Sequence, residues 1–158
     1  MYVKMKIGKT PARGEAAFWN VGVYPWVSIS DMTDYGNIMD TKERVSEFAA
    51  RHLLGNISPI GTLLMSFKLT IGRTSILNIA AYHNEAIISI FPYIDSKYIT
   101  RNYLLYILPI ISNLGNSNDA IKGKTLNSKS LSKMVLPIPP LNEQKRITER
   151  IAELYRKL

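Results

Sequence analysis

Residues 61–94 read "GTLLMSFKLTIGRTSILNIAAYHNEAIISIFPYI". Three apolar, β-prone runs lie in this stretch: "GTLLMSFK" (61–68), "TSILNIAAY" (74–82) and "AIISIFPYI" (86–94). Each has strand length and each is bounded by turn-forming or polar residues, so together they predict the core of a sheet. The first two are separated by "LTIGR" (69–73), where Lys68, Thr70 and Arg73 interrupt the apolar pattern and Gly72 lets the backbone approach a neighbour closely.

Upstream, "VGVYPWVSISDM" (21–32) alternates aromatic and β-branched residues around Pro25, which suits a strand starting at a sheet edge. "DTKERVSEFAARHLL" (40–54) changes to helical spacing. Asp40 with Glu43 forms one candidate capping box, and Ser46 is a later alternative start. Downstream, "KYITRNYLLYILPIISNL" (97–114) has helix length, with Pro109 expected to kink or end it unless it lies near the last turn. "GNSNDAIKGKTLNSKS" (115–130) has loop composition. A short helical turn over 128–134 and a strand "VLPIP" (135–139) should complete the body before Pro139 and Pro140 redirect the chain.

From Asn142 the pattern differs. Ile147, Ile151, Leu154 and Leu158 step by four, three and four, the spacing of a coiled-coil seam, with charges on the other faces. The expected architecture is α+β: a mixed, sheet-cored domain over 1–141 and an amphipathic, coiled-coil-type helix over 142–158. The two prolines should aim that helix away from its own domain and leave the seam for a partner helix, with packing back on its own domain as the alternative.

Composition bounds the function. The 158 residues suit one domain, and 46% hydrophobic with 20% charged residues is globular composition. No apolar run reaches the roughly 20 residues of a membrane span and no signal-peptide core opens the chain, so a cytoplasmic protein with no membrane partner is expected. The chain has no cysteine, and His52 and His83 are too few and too isolated for a metal centre. Trp19 and Trp26 read as core aromatics rather than base-stacking platforms.

The formal net charge is +8. The five basic and three acidic residues from Asn142 onward leave +6 on residues 1–141, which points to a polyanionic partner. The excess clusters at Lys4, Lys6, Lys9 and Arg13 near the start, and at Lys122, Lys124, Lys129 and Lys133 after Asp119. Both segments are candidate loops facing phosphates, with merely solvated loops as the alternative.

Signatures of catalysis fail on inspection. "GKT" at 8–10 lacks the glycine that a phosphate loop needs five residues earlier, where Val3 stands. "IPPL" (138–141) has Ile138 where an amino-methyltransferase would hold its target amine with Asn or Asp. No serine elbow or dinucleotide fingerprint is present, so no catalytic residue and no cofactor is assigned.

"GKTP" (8–11), "VYPWVSISDM" (23–32), "IMDTKERVSEFA" (38–49), "ISPIGTLLMSFKLTIGRTSI" (57–76) and "LSKMVLPIPPLNEQKRI" (131–147) occur in the order found in specificity subunits of type I restriction-modification systems. The chain resembles one target-recognition domain of that family with the start of its spacer helix. The resemblance implies double-stranded DNA as ligand and one half of a bipartite site as target. It implies methyltransferase subunits that bind S-adenosylmethionine and modify adenine, a restriction translocase subunit, and a second copy or second half-subunit as partners. The family's spacer helix is usually longer, so either a truncated piece or a half-subunit that must dimerise is expected.

On this reading Lys9, Arg13, Lys122 and Lys124 contact DNA phosphates, Lys68, Thr70 and Arg73 read base edges, and Ile147, Ile151, Leu154 and Leu158 meet a partner helix. The rival for the 67–74 segment is an ordinary hairpin turn. Rivals for the whole chain are the recognition domain of a fused methyltransferase-nuclease, a general nucleic-acid-binding module, and a scaffold whose basic loops bind protein.

Overall fold

A computed structural model describes residues 2–117, 131 and 133–157. Among these, β1 (Val3–Ile7), β8 (Ile87–Pro92), β5 (Leu63–Ser66), β6 (Thr74–Leu77) and β3 (Gly36–Ile38) form one sheet in that spatial order. A smaller sheet has the order β4 (Glu43–Val45), β2 (Tyr24–Val27), β7 (Tyr82–His83). The pairs β3–β6 and β2–β7 are parallel and the remainder antiparallel. The expected α+β class with a mixed sheet core is what the chain adopts.

The three apolar runs form the centre, with β5, β6 and β8 as neighbours. Their apolar residues are consecutive because both faces of the sheet are covered. Leu63, Met65, Ile88 and Ile90 meet Leu104, Leu105 and Leu108 of helix α3 (Ile99–Ser117) on one side. Leu64 and Ile87 meet Val27, Ile38, Leu77 and Ala81 on the other. Full burial of each such side chain stabilises the fold by about 1.5–3 kcal/mol.

Helix α3 continues through Pro109 rather than ending there. Proline has no N–H, so the Leu105 carbonyl loses its partner in the helix. Thr74, buried in β6, replaces it: Oγ1 donates to the Leu105 oxygen at 2.7 Å. A side chain on the sheet thus offsets the defect in the helix.

Other expectations need correction. The basic opening folds as β1 rather than as a loop, because Val3 and Met5 pack against the core while Lys4 stays exposed. Strand β2 is the middle strand of its sheet. Pro25 is tolerated because β7 pairs only with Trp26 and Val27, beyond it. In the 40–54 segment residues 43–45 are β4, and the helix starts at the later site, where Ser46 Oγ accepts the Ala49 N–H at 3.1 Å. Helix α2 (Glu47–Ala49), the next after the short α1 (Ala16–Trp19), runs into a π-turn over Ala50–Leu54. "VLPIP" forms no strand, since Pro137 and Pro139 cannot donate to a ladder. The expected loop over 115–130 and the turn over 128–134 lie largely outside the described residues.

Helix α4 (Leu141–Tyr155) docks on its own domain, against the expectation of a free helix. The Tyr103 hydroxyl donates to the Pro137 carbonyl at 2.8 Å, which ties the proline step to α3. Gln144 is buried and donates from Nε2 to the Pro139 carbonyl at 2.8 Å. Ile147 packs on the main core. The Tyr155 ring lies 5.5 Å from Tyr35 and 6.2 Å from Tyr106. The prolines direct the helix along the domain instead of away from it. No described helix is long and apolar enough to cross a membrane.

Candidate nucleic-acid interface

Antiparallel pairing brings three connections to one end of the large sheet. Ile7, where β1 ends, pairs with Ile88, and Ser66, where β5 ends, pairs with Ile87. The 8–13 segment, the 67–73 hairpin loop and the 84–86 turn therefore emerge side by side. They carry Lys9, Arg13, Lys68 and Thr70. At the opposite end the exposed side chains include Ile60, Tyr93, Ile94 and Tyr98.

The 8–13 segment is built from within. A Cβ on Gly8 would stand 2.0 Å from the His83 carbonyl oxygen, so only glycine fits. Lys9 N–H donates to that same carbonyl at 2.9 Å. The Trp26 indole N–H donates to the Lys9 carbonyl at 3.1 Å and the Trp19 indole N–H to the Ala12 carbonyl at 3.0 Å. Both tryptophans thus hold the segment in place, their rings edge to face with centroids 5.2 Å apart. His83 beneath is kept neutral, its pKa pushed down to about 4 chiefly by burial.

Arg13 lies over both indoles, 4.3 Å from the Trp19 centroid and 4.9 Å from that of Trp26. It also forms a two-pronged ion pair with Glu43, one arm at 3.1 Å, and this carboxylate raises its pKa above the ordinary arginine value. Its charge is partly spent on the protein. Lys9 is exposed, with Nζ donating to the Leu53 carbonyl at 3.0 Å.

The 67–73 segment is a hairpin loop between β5 and β6. Gly72 takes a left-handed conformation (φ +84°), donates to the Ser66 carbonyl at 2.9 Å, and leaves no room for a Cβ, which would stand 2.3 Å from Ser112 Oγ. The close approach that Gly72 permits is therefore to α3. Leu69 is also left-handed (φ 63°), an uncommon conformation for a branched residue, and at 92% exposure it marks the tip beside exposed Thr70. Lys68 Nζ lies 5.5 Å from the Phe67 centroid. Arg73 sits at the base of the loop and pairs with Asp34 at 3.0 Å, away from the tip.

The 84–86 turn adds residues that sequence reasoning missed. Asn84 Oδ1 accepts the Ala86 N–H at 3.0 Å, and Phe67 N–H donates to the Ala86 carbonyl at 2.9 Å, which joins turn to hairpin. Exposed Glu85 accepts the Thr10 hydroxyl. That bond holds the carboxyl below the usual carboxylate range, with the charges of Lys68 and Arg13 adding to it. The signal available in the sequence was the polar "HNE" between two apolar runs.

The structure thus gathers Lys9, Arg13, Lys68 and Thr70 at one end, and ties Arg73 to a neighbouring element. Lys122 and Lys124 lie outside the described residues. Of the helical seam, Ile147 is half-buried and packs against the core, Ile151 is half-buried, Leu154 is 49% exposed, and Leu158 lies outside the described residues.

Comparison with known proteins gives a consistent picture. The family described as "Type I restriction modification DNA specificity domain" matches residues 3–158. The chain is 26% identical over 154 residues to the Type I restriction enzyme EcoR124I/EcoR124II specificity subunit of Escherichia coli, covering 90% of this chain and 36% of that protein. It is 25% identical over 145 residues to the Type I restriction enzyme MjaIX specificity subunit of Methanocaldococcus jannaschii, covering 89% and 33%. The crystal structure of the HsdS subunit from Thermoanaerobacter tengcongensis superposes with a TM-score of 0.65 at 19% identity, over 99% of this chain and 36% of that one. The chain therefore spans about a third of the length of these relatives.

Proposed function

The chain belongs to the family of type I restriction modification DNA specificity domains, and from that premise we propose that it recognises one half of a bipartite double-stranded DNA site. In this reading it contributes recognition and no chemistry. Methyltransferase subunits that bind S-adenosylmethionine and a restriction translocase subunit, docked on the assembled specificity subunit in the cytoplasm, modify and cut the DNA. A second half, from a second copy or another domain, reads the remaining half-site.

The observation that carries the reading is the convergence of Lys9, Arg13, Lys68 and Thr70 at one end of the sheet. Phosphate contacts orient a protein on DNA and base-edge contacts choose the sequence. Lys9 and Arg13 suit the first task, although Arg13 must exchange Glu43 for a phosphate. Lys68 and Thr70, at the exposed hairpin tip, suit the second. Arg73 enters the readout only by leaving Asp34.

Titration with random-sequence duplex DNA at two salt concentrations tests the proposal. Each phosphate contact contributes close to one unit to the slope of log affinity against log salt. Replacing Lys9 and Arg13 by Gln should weaken binding to every duplex and make that slope shallower by about two. Affinity that is indifferent to salt would remove DNA as the ligand and favour a scaffold that binds protein.

A further inference from the structure

We infer that Glu85 reads a base, its carboxylate accepting a hydrogen bond from the exocyclic amino group that cytosine or adenine presents in the major groove. The inference rests on the proposed DNA-binding role of this end of the sheet. It identifies a specificity-determining acid amid cations that suit phosphate.

The chemistry excludes the usual uses of a surface acid. Glu85 is exposed, yet among the described residues it forms no salt bridge. The cations around it are engaged elsewhere: Arg13 pairs with Glu43, Lys9 Nζ donates to the Leu53 carbonyl, and Lys68 lies against Phe67. A carboxylate also repels phosphate, so Glu85 works against the attraction that its neighbours exert on a DNA backbone.

Its fixed position points to a base edge. The Thr10 hydroxyl engages Oε2 and ties the side chain to the 8–13 segment. The 84–86 turn is itself joined to the hairpin through Phe67 N–H and the Ala86 carbonyl at 2.9 Å. One of about four lone-pair sites is used by Thr10, which leaves acceptors for a ligand. The Thr10 hydrogen bond, with the charges of Lys68 and Arg13 adding to it, favours the ionised carboxylate, hence an acceptor only. In the major groove cytosine N4 and adenine N6 are donors, whereas guanine N7 and O6 and thymine O4 are acceptors. A fixed acceptor therefore selects cytosine or adenine. Lys68, a donor on the adjacent loop, has the complementary preference for guanine.

The experiment is selection of bound sequences from a randomised duplex pool by the full chain, with thermal melting of every variant as a check of folding. The wild type should enrich cytosine or adenine at one position by about fivefold to a hundredfold over guanine and thymine, in line with the discrimination of a good base contact. Which of the two is enriched identifies the amino group. Glu85→Ala, which removes the acceptor, should abolish that preference and leave other positions unchanged, whereas Glu85→Gln, whose amide adds a donor suited to adenine N7, should enrich adenine there. Thr10→Val, which frees the acid without removing it, should reduce the same preference only in part. Uniformly tighter binding by Glu85→Ala with an unaltered sequence profile would overturn the inference, because the acid would then only repel phosphate. Salt-dependent binding by the wild type without preference at any position would also overturn it while leaving DNA binding intact. Loss of salt dependence in the wild type would instead overturn the DNA-binding proposal itself.

Discussion

Thr74 and Pro109 illustrate how single residues depend on one another across this fold. The carbonyl that Pro109 deprives of an N–H is satisfied by the Thr74 hydroxyl at 2.7 Å. Thr74→Val should therefore cost about 1–3 kcal/mol, the penalty of a buried acceptor left without a donor. Pro109→Ala restores an N–H and should recover much of that loss in the double variant. Equal costs for Thr74→Val with and without Pro109→Ala, measured by denaturant unfolding, would show that this hydrogen bond is not what supports the helix. Legibility at this scale was uneven. The structural role of both tryptophans could be read from residue type, since large indoles are seldom left free. That their N–H groups hold the Lys9 and Ala12 carbonyls could not, because such bonds join residues distant in sequence. Glu85 and Thr10 were missed for the same reason: they stand 75 positions apart.

Elements were legible where the apolar pattern was long and illegible where tertiary pairing decided. Residues 63–66, 74–77 and 87–92 form strands within the three runs that predict them. Residues 43–45 have helical company on their C-terminal side, yet they form β4 because β2 offers a ladder. β1 shows a period of two, with Val3, Met5 and Ile7 alternating with Lys4 and Lys6, but its lysines read equally as a basic loop. Helix α4 shows the limit of heptad reading, since an apolar stripe at coiled-coil spacing does not say which surface covers it. Ile147 is half-buried against the core and Leu154 is half exposed. Ile147→Ala should cost about 1–2 kcal/mol, less than full burial would give, whereas Leu154→Ala should stay within about 0.5 kcal/mol. Equilibrium unfolding of the two variants separates them. Equal small effects would free the whole helix for a partner and reverse the docking described above. If Leu154 and Ile151 also serve a partner, that contact adds to a helix already seated on α3.

At the scale of the molecule, antiparallel pairing converts a scattered sequence signal into one surface. Lys9, Arg13, Lys68 and Thr70 are separated in sequence, yet the ends of β1 and β5 and the start of β8 bring their loops to one edge. The net charge indicated a polyanion, and the ordered family segments indicated which one. Neither indicated which side chains are free, because Arg13 and Arg73 are basic in the sequence but paired with Glu43 and Asp34 in the fold. On the proposed function, this surface chooses the DNA sequence that the assembled system modifies. The most direct test maps methylated adenines in genomic DNA from cells carrying the system, with the wild-type chain and with Lys68 and Thr70 replaced by Ala. The methylated half-site read by this chain should change or relax at one or two positions while the other half-site and assembly of the complex are retained. An unaltered set of methylated sites in a normally assembled variant would contradict the proposed function.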